Sequence, residues 1–387
     1  MDNKFERRPK ADQPVLAICY DFDKTLSPDD MQAQGYIQSV GYDIGTFWHE
    51  SNDLAENNDM DQNLAYMLKM VEESEGKFAV NREKLREYGS KVELFPGVES
   101  WFSRIRDYGK EKGVIVEHYI ISSGLKEMIE GTSVAKEFER IYASSYYFNE
   151  KGAAKWPAQV VNYTNKTQFL FRIEKGTLDV NDTMVNDAFA PEDIRVPFRN
   201  MVYIGDSDTD IPCMKLVNSY GGHSIGVYNG EKQDKTKVNK MMRDGRIKYY
   251  VAADYSADSE LDGLVKAIID RTAANEALES KYYACKKETA ESDRLSSEDE
   301  QKRQDLMIAL ESSRSFATTH SLIADLRTIK EWTIEDKENL FEIAIKNGQV
   351  LYILGDPDVK AFYRQLLKGY AGTSDFAKEV HGLLTQE

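Results

Sequence analysis

The stretch Val15-Leu-Ala-Ile-Cys-Tyr20-Asp21-Phe-Asp23-Lys-Thr25 decides how this chain is read. Six apolar residues in a row suit a strand covered on both faces, the kind found inside a parallel sheet. The run ends in two aspartates at i and i+2, where the C-terminal end of a parallel strand opens into a ligand crevice. Similar runs recur at Val114–Ile121, Ile141–Phe148, Met201–Ile204, Ser224–Tyr228 and Tyr249–Ala253. Helical patterns lie between them, at Leu125–Arg140, Thr167–Lys175 and Ile211–Val217. The alternation predicts a doubly wound α/β domain with a parallel sheet.

Two segments break the rhythm. Pro28 to Lys112 holds roughly 85 residues, far more than a crossover needs. Its patterns at Leu64–Val71 and Arg82–Tyr88 predict an inserted helical subdomain. From Leu264 to Asn347 the chain has neither Gly nor Pro and is densely charged, which predicts long, solvated helices. Gly355-Asp356-Pro357 then restarts a helix, with Asp356 as N-cap and Pro357 in its first position. The apolar stripe Val359, Phe362, Tyr363, Leu366 and Leu367 needs a packing partner, expected on the core or on a second copy of the chain. The domains expected are therefore a core of 1–28 plus 113–272, a helical cap of 29–112 and a helical extension of 273–387. Self-association through that extension is the expectation that goes with it.

A second acidic cluster, Gly205-Asp206-Ser-Asp208-Thr-Asp210, follows the Met201–Ile204 run. Two carboxylate clusters at strand ends line one crevice, where like charges repel by several kcal/mol unless a cation compensates. A hard, oxygen-seeking ion, Mg²⁺, fits that need. A calcium loop does not fit. Begun at Asp21, it puts Leu26 and Gln32 where Gly and Glu are required; begun at Asp206, it puts Ile211 and Val217 there. No GxxxxGK[ST] spacing offers a phosphate-cradling loop. Ile120-Ile-Ser122-Ser123-Gly124 ends a strand with hydroxyls and a glycine, suited to holding phosphate oxygens. Lys166 opens a helical stretch before the second aspartate cluster and can supply a fixed cation.

Taken in order, DxDxT, the strand-end serine, the lysine and GDxxxD resemble the haloacid dehalogenase (HAD) superfamily of phosphotransferases over about Val15 to Arg271. The likeness is to the phosphoserine-phosphatase-like branch, whose helical cap is inserted after the first motif. It implies a HAD-like core with cap and a Mg²⁺-dependent phosphatase acting on a small phosphorylated metabolite. Asp21 would be the nucleophile and Asp23 the acid/base. The metal would be held by Asp21, Asp23 through its backbone carbonyl, Asp206 and Asp210. Phosphate would be bound by Ser122, Ser123, Gly124 and Lys166. An aspartate at position 23 disfavours the P-type ATPases and the dehalogenases of that superfamily. A phosphomutase, or a phosphate-binding scaffold, stays open as an alternative. In the cap, Asp29, Asp30, Trp48, His49, Tyr66, Arg82 and Arg86 are candidates for substrate contact, and Asp30 lies near where serine-phosphate enzymes keep an acid for the substrate's ammonium.

Composition bounds the rest. The 387 residues carry a net charge of −16 and 41% hydrophobic residues, enough for a sizeable core and unfavourable for binding nucleic acid. Cys19, Cys213 and Cys285 form no CxxC pair, so neither a disulfide framework nor a zinc site is expected. The charged opening MDNKFERRPKADQP shows no secretory leader and no apolar run approaches membrane-spanning length, which predicts a cytoplasmic protein without membrane contact.

Overall fold

A computed structural model describes residues 5–292 and 298–385. Seven strands form one sheet: β1 (Val15–Tyr20), β2 (Ile115–Leu125), β3 (Arg140–Phe148), β4 (Ala154–Gln159), β5 (Met201–Gly205), β6 (His223–Tyr228) and β7 (Tyr249–Ala252). Their order is β4-β3-β2-β1-β5-β6-β7, and every pairing is parallel except β3 with β4. The expected α/β architecture is therefore present. The chain builds outward from β1 to one side and later to the other, so a topological switch point lies between β1 and β5.

Helices follow in chain order: α1 (Tyr36–Ser39), α2 (Ile44–Asn57), α3 (Gln62–Glu73), α4 (Arg82–Gly89), α5 (Val98–Glu111), α6 (Lys126–Ile129), α7 (Thr167–Lys175), α8 (Ile211–Ser219), α9 (Thr236–Arg243) and α10 (Glu260–Ser292). After them come α11 (Glu298–Ser312), α12 (Phe316–Leu326), α13 (Ile334–Lys346), α14 (Gly348–Tyr352), α15 (Pro357–Leu367) and α16 (Asp375–Thr385). The chain divides into two compact units, one of 5–185 with 195–276 and another of 186–194 with 277–385.

In the first unit the period-2 alternation of β1 separates two apolar layers. Leu16, Ile18 and Tyr20 face one layer with Trp101, Phe102 and Ile105 of α5 and Leu261, Val265 and Ile269 of α10. Val15, Ala17 and Cys19 face the other, with Phe169 and Ile173 of α7, Met214 and Val217 of α8 and Val238 of α9. A polar thread crosses the first layer: Trp101 Nε1–H donates to the Tyr20 hydroxyl at 2.7 Å, and that hydroxyl lies 3.0 Å from His118 Nδ1. Helices α1 to α5 fall between β1 and β2 as the insertion pattern predicts, and α5 packs directly on β2.

One helical expectation is corrected. Leu125–Arg140 is not a continuous helix: β2 runs on to Leu125, α6 lasts a single turn, and a 3₁₀ turn at Ala135–Glu137 leads into β3. Gly131 ends α6, its N–H returning to the Met128 carbonyl.

The second unit has a core of its own. Val359, Phe362, Tyr363 and Leu366 of α15 are buried with Leu310, Ile323, Leu340, Phe341 and Val380, so the stripe expected to seek another surface is covered within its own unit. The Gly- and Pro-free stretch is broken by capping residues: Ser315 accepts from Thr318 N–H, and Thr333 and Asp336 form a capping box. Asp356 holds the N-cap position of α15 as expected, but its carboxylate bonds His320 Nε2 at 3.1 Å instead of the helix backbone, while Asp358 takes Nδ1 at 2.8 Å. Among the described residues no helix is long and apolar enough to cross a membrane.

Candidate active site

Three adjacent strand ends converge at the switch point. Register pairs Tyr20 of β1 with Ile120 of β2 and Ile204 of β5, so Asp21, one residue beyond Tyr20, and Ser122 and Asp206, two beyond its partners, emerge on neighbouring strands at the same end of the sheet. Asp21 N–H still bonds the Ile204 carbonyl at 3.0 Å, which holds the first aspartate in line with its strand. Asp21, Asp206 and Asp210 each offer a carboxylate oxygen within 4.8 Å of the others. Gly205 makes this possible: a Cβ there would lie 2.5 Å from Asp210 Oδ2. Asp210 is further fixed by Tyr203 O–H at 3.0 Å on Oδ1 and by Ser207 N–H at 3.1 Å on Oδ2. Asp208 is exposed and outside this group.

Lys166 reaches the cluster from the turn that leads into α7. Asn162 N–H bonds Asn165 Oδ1 at 2.7 Å and Asn165 Nδ2–H bonds the Val160 carbonyl at 3.1 Å, fixing the turn that delivers it. Its ammonium lies 2.8 Å from Asp210 Oδ1 and 3.3 Å from Asp21 Oδ1, with no solvent exposure. Burial alone would depress this ammonium, but Asp21 and Asp210 more than offset it and hold it above the ordinary lysine value. Burial, against the pull of Lys166, raises Asp21 to about 6; burial, reinforced by Asp210, raises Asp206 to about 7.

Asp23 sits in a tight turn after Asp21 and is not one of the three carboxylates that meet. Its Oδ1 accepts Met31 N–H at 2.8 Å, while Oδ2 lies beside Gly124, where a Cβ would come within 2.8 Å of it. Burial, with Asp30 and Asp21 nearby, keeps this carboxyl well above the ordinary range. Ser122 is buried and its Oγ accepts Gly124 N–H at 3.1 Å. The Ser123 hydroxyl is buried without a protein partner, as is that of Thr25.

Among the cap candidates, Tyr66 touches the site's serine loop: its O–H donates to the Ser123 carbonyl at 2.9 Å, and Trp48 packs edge-on against its ring at 5.8 Å. Arg82 and Arg86 pair instead with Glu127 of α6 and Glu130 just after it, and His49 is exposed beside Asp53. Asp30 pairs with Lys24, and Asp29 accepts the Asp30 N–H. Lys24, Lys237 and Tyr203 were not singled out from sequence. Lys24 adjoins Asp23 and could have been flagged by that position; Tyr203 reads as an ordinary strand aromatic.

The buried Asp21 Oδ1 makes no hydrogen bond and is faced only by the Lys166 ammonium at 3.3 Å, and two further carboxylates, Asp206 and Asp210, come within the span of one ion's ligands. Oxygen-only donors of this kind fit a hard divalent cation such as Mg²⁺. All three cysteines are free and none belongs to this cluster.

No family model matches the chain. It is 25% identical over 277 residues to an uncharacterized protein of Borreliella burgdorferi, covering 64% of this chain and 94% of that one. Among solved structures it is similar to a HAD-family hydrolase of Salmonella enterica serovar Typhi at 16% identity and a TM-score of 0.41, over 65% of this chain and 75% of that one. It is also similar to a phosphoserine phosphatase solved as an analogue of its phospho-aspartyl intermediate, at 14% identity and a TM-score of 0.40, over 66% and 99%. A probable phosphoserine phosphatase of Vibrio cholerae gives 13% identity and a TM-score of 0.44, over 69% and 68%.

Proposed function

We propose that this chain is a Mg²⁺-dependent phosphatase of the HAD kind, hydrolysing a small phosphate monoester through an aspartyl-phosphate on Asp21. The observation that carries the reading is the constellation at the switch point. A strand-end carboxylate lies within one ion's reach of two others and is ion-paired to a fully buried lysine. A solvated acidic turn has no need of such a lysine, whereas a site that must accept an anionic phosphoryl group does.

In this reading Asp21 attacks phosphorus, forming an O–P bond as the bond to the leaving oxygen breaks. Asp23 gives its proton to the departing alkoxide, and its raised carboxyl favours the protonated form a general acid starts from. The ionised Asp23 then takes a proton from the water that cleaves the aspartyl-phosphate, returning Asp21 and releasing phosphate. Ser122, Ser123 and the Gly124 backbone hold the phosphoryl oxygens, and the free Ser123 hydroxyl offers a donor for one of them. Lys166 stabilises the charge that builds on phosphate and keeps Asp21 oriented. Asp21, Asp206 and Asp210, with the Asp23 carbonyl, would hold Mg²⁺, which supplies electrostatic stabilisation of the equatorial phosphoryl oxygens. Within the insertion of 29–112, α1 to α4 act as the cap, with Tyr66 of α3 tying it to the serine loop.

The test is a Mg²⁺-dependent release of phosphate across a panel of phosphorylated metabolites and p-nitrophenyl phosphate. Asp21→Asn should abolish turnover while circular dichroism shows the fold retained; turnover near the wild-type rate overturns the assignment.

A further inference from the structure

Lys24 follows Asp23 directly and occupies the left-handed backbone region at φ 58°, uncommon for a side chain of its size. The Phe22 carbonyl accepts the N–H groups of Thr25, Leu26 and Ser27, and this tight turn sets where Lys24 projects. Its ammonium lies 2.8 and 2.7 Å from the two oxygens of Asp30. The acid that sequence offers to a substrate's amine is thus already satisfied by the chain's own ammonium. The neighbouring carboxylates are turned inward as well, Asp29 to the Asp30 N–H and Asp23 to the Met31 N–H.

Lys237 approaches from α9. Its Nζ lies 3.6 Å from Asp206 Oδ2, and Asp206 belongs to the carboxylate group around Asp21. Lys24 and Lys237 keep 47% and 49% of their side-chain surface in solvent, so both side chains are accessible to a partner from outside. Asp206 also lies within electrostatic range of Lys24. In a chain of net charge −16, two half-exposed lysines therefore stand beside the carboxylates gathered at Asp21 and Asp30. An incoming ammonium would meet like charge on these two side chains, whereas an incoming anion would find opposite charge on them.

Building on the phosphatase reading, we infer that the substrate carries a second anionic group and no ammonium, and that Lys24 and Lys237 receive that group. A carboxylate and a second phosphate share this chemistry.

The test compares kcat/KM, with Mg²⁺ present, for O-phosphoserine, its deaminated counterpart 3-phosphooxypropanoate, O-phosphoethanolamine, propane-1,3-diyl bisphosphate and uncharged-tailed propyl phosphate. The deaminated ester or the bisphosphate should exceed phosphoserine by about tenfold, with phosphoethanolamine lowest, and whichever leads identifies carboxylate or phosphate as the second group. Lys24→Met and Lys237→Met should each shrink the advantage of the anionic esters over propyl phosphate by about fivefold, as expected for a partly hydrated charge contact. Lys24→Met should also improve phosphoserine relative to its deaminated counterpart, because Asp30 is released. Equal or better hydrolysis of the amine-bearing esters by the wild type overturns this inference and leaves the phosphatase reading standing. Failure to hydrolyse any ester, p-nitrophenyl phosphate included, overturns both.

Discussion

The ammonium of Lys166 lies 2.8 Å from Oδ1 of Asp210, and neither side chain is exposed to solvent. A buried pair of this kind contributes little net stability, but removing one partner leaves an uncompensated charge. Lys166→Met should therefore cost about 3–5 kcal/mol in chemical denaturation and lower kcat far more than it raises KM. A variant of wild-type stability would mean that the ion pair is not formed in solution.

The raised carboxyls give the metal-free protein a distinctive pH response. An acid whose folded-state pKa exceeds its unfolded value keeps its proton in the fold while the unfolded chain has lost it, so stability falls as pH rises between the two values. For Asp21 and Asp206 that window runs from the ordinary aspartate value of 3.8 to about 6 and about 7. Mg²⁺ binds the ionised carboxylates, so the gain in Tm on adding it should grow through this window and level off above about pH 7. Buried His118 and His223 push stability the opposite way, losing it as pH falls below the ordinary histidine range. They contribute alike with and without the ion, and cancel in the difference. A gain in Tm independent of pH would show that these carboxylates are not the ion's ligands.

Much of the first unit was legible because strands buried on both faces write continuous apolar runs, and because the parallel sheet places the residues after those runs together. Val15–Tyr20 and Met201–Gly205 thus announced both β1 with β5 and the meeting of Asp21 with Asp206. The Lys24–Asp30 pair was hidden because a positive-φ turn, which sequence does not mark at a lysine, folds residues six apart onto each other. Tyr203 was hidden for a different reason: a strand aromatic buries its ring like any other, and only its hydroxyl, on Asp210, serves the site. The independent core of the second unit depends on which helical stripes face one another, and periodicity assigns a stripe without assigning its partner.

That second core gives its own test. Phe362 is buried among Leu340, Phe341 and Val380 in a cluster drawn wholly from residues 307–384. Phe362→Ala should remove about 3–5 kcal/mol from this unit, combining lost transfer energy with a cavity that neighbouring helices fill only in part. Hydrogen exchange should show faster amides across α13, α15 and α16. Unchanged protection there would mean that the α15 stripe is packed elsewhere.

Gly124 offers the sharpest test of the role given to Asp23. A Cβ at this position would lie 2.8 Å from Asp23 Oδ2 and closer still to Met31 Cε, and Met31 N–H holds the other oxygen of the same carboxylate. Gly124→Ala must therefore turn or push aside the oxygen free to carry a proton, while Asp21, Asp206 and Lys166 keep their mutual contacts. If Asp23 protonates the leaving oxygen, the damage depends on how much that oxygen needs a proton. Alkyl phosphates, whose alkoxides are strongly basic, should lose about a hundredfold in kcat, whereas p-nitrophenyl phosphate, whose phenolate departs readily, should lose much less in the step that forms the aspartyl-phosphate. Burst kinetics separate that step from hydrolysis of the intermediate, where Asp23 acts as base and both substrates should suffer equally. Equal losses for the two esters in the first step would remove Asp23 as the general acid, even though Asp21 remained the nucleophile.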